Sequence, residues 1–351
     1  MMPPVAELHV HLEGTLEAEL IMTLSARNGV RLPYADVDGL RAAYRFTDLQ
    51  SFLDLYFANM AVLRTEADFE AMTMAYLRRA AQAGVRHAEV FFDPQAHVAR
   101  GVPLDVAMAG VTGALEASER EFGLSSALIV CFLRDLGGHE AMATLDDVLR
   151  LDVPILGVGL DSAEVGHPPA AFAAVFARAR AAGLVTVAHA GEEGPASYVW
   201  EAIDVLQVDR IDHGIRSLDD PNLVARLVAD RMPLTVCPLS NVRLGAVATV
   251  AGHPIAEMLR RGLMVTVNSD DPAYFGGYID DNFAAIAAGS ALGRPELAQL
   301  ARNSFEASFV APGRRQALLD EVNAWEDGLA LGDHPDERPV TDGADDRDAA
   351  D

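Results

Sequence analysis

Ala6-Glu7-Leu8-His9-Val10-His11-Leu12-Glu13-Gly14-Thr15 is the stretch whose reading decides the fold. An apolar strand pattern covers 6–10, and polar residues follow it directly. A doubly wound sheet that holds a nucleotide prefers a glycine-rich phosphate turn after its first strand. His11-Leu12-Glu13-Gly14-Thr15 is not that turn. Further short apolar runs lie at 85–92, 126–132, 155–159, 184–189, 210–212, 233–236 and 263–268. Alanine-rich amphipathic stretches separate them, among them 105–122, 169–182, 221–230 and 255–261. Alternation of this kind predicts the α/β class, specifically a (β/α)8 TIM barrel, with an open doubly wound sheet as the competing reading. The segment 47–83 is too long for a simple crossover, so it reads as a helical insertion after the first strand. Phe52, Leu53, Leu55, Tyr56, Phe57 and Met60 on it fit either an apolar lid or ordinary helix packing.

Half of the 351 residues are hydrophobic, which is globular composition rather than disorder. Lys and Arg total 27 against 52 Asp and Glu, a net charge of −25. That balance argues against nucleic acid and against anionic lipid as partners. The last 19 residues hold eight acids against two arginines. We therefore expect one barrel domain over 1–332 and a disordered acidic tail over 333–351. Two distant cysteines, Cys131 and Cys237, exclude a disulfide framework. With no secretory signal and no membrane-length apolar run, a cytoplasmic location is expected. The oligomeric state is not legible.

The chemistry gathers at the ends of the expected strands. His9 and His11 are two residues apart, so both side chains face one side of a strand. His189 ends the run 184–189, His213 follows 210–212, and Asp270 and Asp271 follow 263–268. Active sites of such barrels lie at the C-terminal ends of the strands. A core histidine explains any one of these residues alone. It does not explain four histidines and an Asp pair at the same level, so a divalent metal site is expected. Glu192, three residues after His189, is a candidate general acid or base, or a first-turn glutamate facing a helix dipole. Cys237 reads as a packed thiol, and His87 and His97 as structural. His139, His167, His253 and His334 adjoin Gly or Pro loops and read as surface residues.

His9-Val-His-Leu-Glu-Gly-Thr15, His189-Ala-Gly-Glu192, Asp212-His-Gly-Ile215 and Ser269-Asp-Asp-Pro272 occur in an order that resembles the adenosine/adenine deaminase family of the amidohydrolase superfamily. The resemblance implies one zinc held by His9, His11, His189 and Asp270, with iron also suited to such donors. It implies Glu192 as proton donor to a purine ring. It implies that His213 holds the attacking water and takes its proton, and that Asp271 bonds the purine near N7. Glu13 stands where adenosine deaminases typically carry an Asp that meets ribose. Glu89-Val-Phe-Phe-Asp-Pro-Gln95, Gly159-Leu-Asp-Ser162 and Cys237-Pro-Leu-Ser-Asn241 look like the adenine branch. The implied activity is hydrolysis of adenine to hypoxanthine and ammonia in purine salvage, with Glu13, Ser162 and Glu164 as further substrate contacts. The alternatives are adenosine, an N6-substituted adenine or aminofutalosine as substrate. A non-catalytic barrel that binds purine or signals is a third reading.

Overall fold

Eight parallel strands carry the chain: β1 (Val5–Glu7), β2 (Val85–Phe92), β3 (Ser125–Leu133), β4 (Gly157–Asp161), β5 (Val185–Ala190), β6 (Arg210–His213), β7 (Pro233–Val236) and β8 (Met264–Val267). The computed structural model describes residues 2–46, 48–290 and 292–328. Strand order follows chain order, β1 to β8. A parallel bridge between Val10 and Asp270 brings the last strand against the first. His11 N donates to Asp270 O, and Asp270 N to His9 O, each at 3.0 Å. The architecture is the expected (β/α)8 barrel.

Short strands follow from the βα repeat, because each strand is buried on both sides and need only span the barrel wall. The first one is shorter than expected. Regular pairing stops at Glu7, and His9 to His11 continue it through single bridges to Asp270 and Phe91. Side chains complete the seam, with Ala6 N donating to Ser304 Oγ and Leu8 N to Asn268 Oδ1. The fourth strand runs later than expected, Gly157–Asp161, so its last residue is a carboxylate at the barrel mouth. Beneath, fully buried Arg210 bonds Glu89 and Leu8 O.

Helices Ala18–Asn28, Val37–Ala42, Leu49–Asn59 and Glu66–Ala83 separate β1 from β2. The insertion is therefore longer than 47–83. Asp48 caps the third of these by accepting from Ser51 N, which fixes where the helix starts. Its apolar face forms a second core with Phe46, Leu244, Tyr274 and Phe275, separate from the main one. Phe52 meets Phe275 at 4.6 Å between ring centroids. This small core roofs the barrel mouth, as an apolar lid would. The stretch 333–351 lies outside the described residues. Among those described, no helix is long and apolar enough to cross a membrane.

Candidate active site

Six non-glycine residues have positive φ among the described residues: Asp152, Ser162, Gln207, His213, Arg231 and Asp270. Asp152, Gln207 and Arg231 end helices, where that conformation is routine. Ser162, His213 and Asp270 instead sit at strand ends around the mouth, with φ of 70°, 61° and 67°. Backbone strain of this kind costs about 1–3 kcal/mol per residue and gathers at functional sites. Here it turns three side chains inward from three strands.

His9, His11, His189 and Asp270 converge, one donor atom from each within 4.8 Å of the others. His9 Nε2 lies 3.3 Å and His11 Nε2 3.5 Å from Asp270 Oδ1. His11 Nε2 and His189 Nε2 are 3.2 Å apart. Burial pushes His11 down to about 3 and holds His189 well below the usual histidine range, so both rings are neutral. Burial acts to raise the Asp270 carboxyl, but the neighbouring His9, His213 and His11 hold it well below the usual range. His9 Nε2 is buried with no hydrogen-bond partner. Three imidazole nitrogens and a carboxylate, converging on one point, form a donor set for a divalent cation.

The far nitrogens of these rings are also held. His9 Nδ1 pairs with Thr235 Oγ1 at 2.9 Å, and that hydroxyl donates to Asp212 Oδ1 at 2.8 Å. Asp212 Oδ2 lies 3.6 Å from His189 Nδ1, and Asp161 Oδ2 lies 3.5 Å from His11 Nδ1. Carboxylates behind ligating imidazoles fix ring orientation and raise basicity. Sequence reasoning assigned neither Asp161 nor Asp212. The signal was available, since each is an acid at or beside the last residue of a strand.

A cleft above the donor set is lined by Asp93, Leu133, Asp161, Ser162, Glu192, His213, Asp271 and the roof residues Leu49, Phe52, Leu53, Tyr56, Phe57, Leu244 and Phe275. Glu192 Oε2 is 3.4 Å from His213 Nε2, while Glu192 Oε1 and Asp271 Oδ1 are buried without partners. Burial, and then the charge of Asp270, raise both acids well above the usual range. Each can therefore donate a proton or a hydrogen bond. Asp271 comes close because residue 14 is glycine. A Cβ there would stand 2.0 Å from Asp271 Oδ1 and 2.7 Å from its Cα.

His213 is oriented from behind. His253 Nδ1 accepts the Ile255 N–H, so the neutral ring carries its proton on Nε2 and donates to Asn241 Oδ1 at 3.2 Å. Asn241 thereby turns its amide nitrogen to His213 Nδ1 at 3.4 Å. Neutral His213 then carries its own proton on Nε2, facing Glu192 and Asp270.

The family profile described as adenosine deaminase matches residues 4–325. The chain belongs to the adenosine deaminase family. An adenine deaminase of Streptomyces coelicolor is 61% identical over 93% of this chain and 96% of its own length. The crystal structure of an adenine deaminase from Arthrobacter aurescens superposes with a TM-score of 0.91 at 60% identity, covering 92% of this chain and 99% of that one. An amidohydrolase from Burkholderia ambifaria, solved with bound Zn, gives a TM-score of 0.86 at 28% identity over 93% of this chain and 91% of its own.

Within this adenosine deaminase family member, two expected substrate contacts stand elsewhere. Glu13 is fully buried and does not line the cleft. Its Oε1 accepts from Asp93 N at 3.0 Å and pairs with His97 Nε2 at 2.9 Å. Glu164 does not line the cleft either. Its oxygens accept from Gly191 N (2.6 Å), Glu192 N (3.0 Å), Glu193 N (2.9 Å) and Gly194 N (2.8 Å). No sequence pattern shows that four amide groups will turn toward one carboxylate, since the turn exists only in the folded loop. Ser162 does line the cleft. His253, expected at the surface, is 4% exposed, because its ring is locked between Asn241 and Ile255 N. His139 is exposed, His97 is buried against Glu13, and His87 bonds Ser125 and Glu89. The Cys237 thiol is buried and raised well above its usual range, which makes it a poor nucleophile.

Proposed function

We propose that this chain is a cytoplasmic zinc-dependent adenine deaminase, hydrolysing adenine to hypoxanthine and ammonia in purine salvage. One observation carries the reading: Glu192 Oε1 and Asp271 Oδ1 lie buried and unpartnered in a cleft above four convergent metal donors. The relatives named above as adenine deaminases, at 60% and 61% identity, support the substrate. The imidazole-rich set suits zinc, which the Burkholderia relative holds.

His9, His11, His189 and Asp270 would hold the ion. When bound, it supplies a hydroxide at neutral pH by lowering the pKa of water to about 7. Attack at C6 breaks ring aromaticity, so N1 must gain a proton as the C6–O bond forms. Glu192, kept protonated by burial and by Asp270, gives that proton. Asp271, protonated for the same reasons, donates to N7. His213 presents Nε2–H and steadies the oxygen nucleophile, a holding role rather than a proton-accepting one. The C6–N bond then breaks: the hydroxyl proton leaves with the amine as ammonia, and the proton that water gave up on becoming hydroxide restores the Glu192 acid. Adenine plus water thus becomes hypoxanthine plus ammonia. Phe52, Tyr56 and Phe275 cover the cleft and exclude bulk water.

Paired kcat/KM values for adenine and adenosine, with zinc measured on the same preparation, test the proposal. Adenine is expected to lead by more than about tenfold, consistent with a site built around the free base. A lead for adenosine of that size would overturn the substrate, and turnover without metal would overturn the mechanism. Gly14→Ala must push Asp271 from its place. It is expected to lower kcat/KM on adenine by about 10²-fold, the scale of a misplacement of about 1 Å. Wild-type kinetics in that variant would remove Asp271 from the site.

A further inference from the structure

Asp93 follows the end of β2, is 2% exposed and lines the cleft; its carboxyl bonds that of Asp161, and its buried Oδ1 receives no N–H or hydroxyl donor. Neither the metal donors nor the proton-transfer steps use it. A buried carboxyl oxygen with lone pairs that no N–H meets is under-satisfied, and at a cleft wall it marks a place for a ligand donor. The position of Asp93 around the barrel names that donor, given the adenine reading above, on which this inference rests.

Glu192 follows β5 and Asp271 follows β8. The short arc between them carries His213 at the end of β6. A purine lying across the mouth with N1 at Glu192 and N7 at Asp271 turns C6 to that short arc. Its remaining edge must face the long arc from β8 through β1 and β2 to β4. Following the ring from N7, C8 and then N9 come round toward β2. Following it from N1, C2 and then N3 come round toward β4, where Ser162 lines the wall. We propose that Asp93 reads position 9 of the base, its carboxyl oxygen accepting the N9–H that adenine has and a nucleoside lacks. A carboxyl group keeps an acceptor oxygen in either protonation state, so the contact does not depend on its titration.

Behind the wall, Glu13 holds this reader in place. Its Oε1 accepts the backbone N–H of Asp93 and pairs with His97, whose ring stacks on Phe92 at 5.1 Å between centroids. The longer acid at position 13 thus acts through Asp93 as a positioning residue. Substituted N9 would point its substituent at Asp93 and leave the carboxyl unpaired, which penalises the wrong ligand twice.

The test compares adenine with 9-methyladenine, which lacks only the N9 donor and adds one methyl group. Sites built to bond a substrate N–H reject analogues lacking it by as much as about 10⁴-fold. Wild-type enzyme is expected to prefer adenine by at least about 10²-fold. Asp93→Ala is expected to shrink that preference below about tenfold, with metal per chain unchanged. An equal fall on both substrates, or loss of metal, would overturn the proposal, because Asp93 would then act through the neighbouring His11 and Asp161. If Asp93→Ala does not fold, the wild-type ratio still decides: equal kcat/KM on the two bases overturns it. Failure of the adenine reading looks different, since adenosine would then outrun adenine in the wild-type enzyme.

Discussion

Glu192→Gln is expected to lower kcat on adenine by about 10³-fold while metal per chain stays at the wild-type level, the scale general acid catalysis reaches. Gln keeps the shape and the loop, but it has no proton to give N1. Glu192 stands on the loop after β5 rather than among the four convergent donors. The Oε2 contact with His213 at 3.4 Å survives as an amide contact, so His213 is expected to stay in place. Steady-state kcat and metal analysis on one preparation are sufficient. A variant that loses metal with activity would make Glu192 structural, and one with unchanged kcat would move the proton donor elsewhere.

Glu164→Ala is expected to cut kcat by about 10²-fold through misplacement of Glu192. It should also lower the unfolding free energy by about 3 kcal/mol, since buried donors lose their acceptor. Four consecutive amide groups, from Gly191 to Gly194, close on this one carboxylate. Glu164 therefore sets the backbone from which Glu192 projects. Arg134 braces the same loop from the other side, donating to His189 O at 2.9 Å and to His167 O at 3.0 Å. Gly194 leaves room for the acid, because a Cβ there would stand 2.6 Å from its carboxyl carbon. Glu164→Gln keeps one acceptor oxygen and should fall between wild type and Ala. Because the acid touches the loop and not the cleft, KM should move less than kcat. Full activity in the Ala variant, beside the expected loss of stability, would leave Glu164 a fold residue only.

Residues that act from regular strands were legible before any coordinates. Period-two alternation places His9 and His11 on one face. A barrel brings every strand end to one mouth, so His189, His213 and Asp270 had to meet them. Their meeting follows from topology, which the alternation of apolar runs and helical stretches already carries. The roof was half legible: its aromatic residues stood out at 49–60, but packing against Phe275 and Leu244 is a contact across more than 180 residues.

Glu13 and Glu164 show where such reading ends. Glu13 lies in a quoted motif and Glu164 just after one, and both stand one layer behind the cleft. Motif position places a residue near a site. It does not say which way the loop turns its side chain, because that depends on which buried amide groups need an acceptor. Asp93, Asp161 and Asp212 are the converse case, acids inside the quoted motifs that drew no assignment and that folding brings to the mouth or behind the convergent histidines.

By itself, the sequence determined the barrel and which histidines and aspartates meet at its mouth, because strand periodicity and strand order are local, repeated signals. The tertiary structure decided which carboxylates face the cleft and which hold loops. The reason is physical: a buried polar group goes where its hydrogen bonds can be met, and those partners exist only once distant segments have packed.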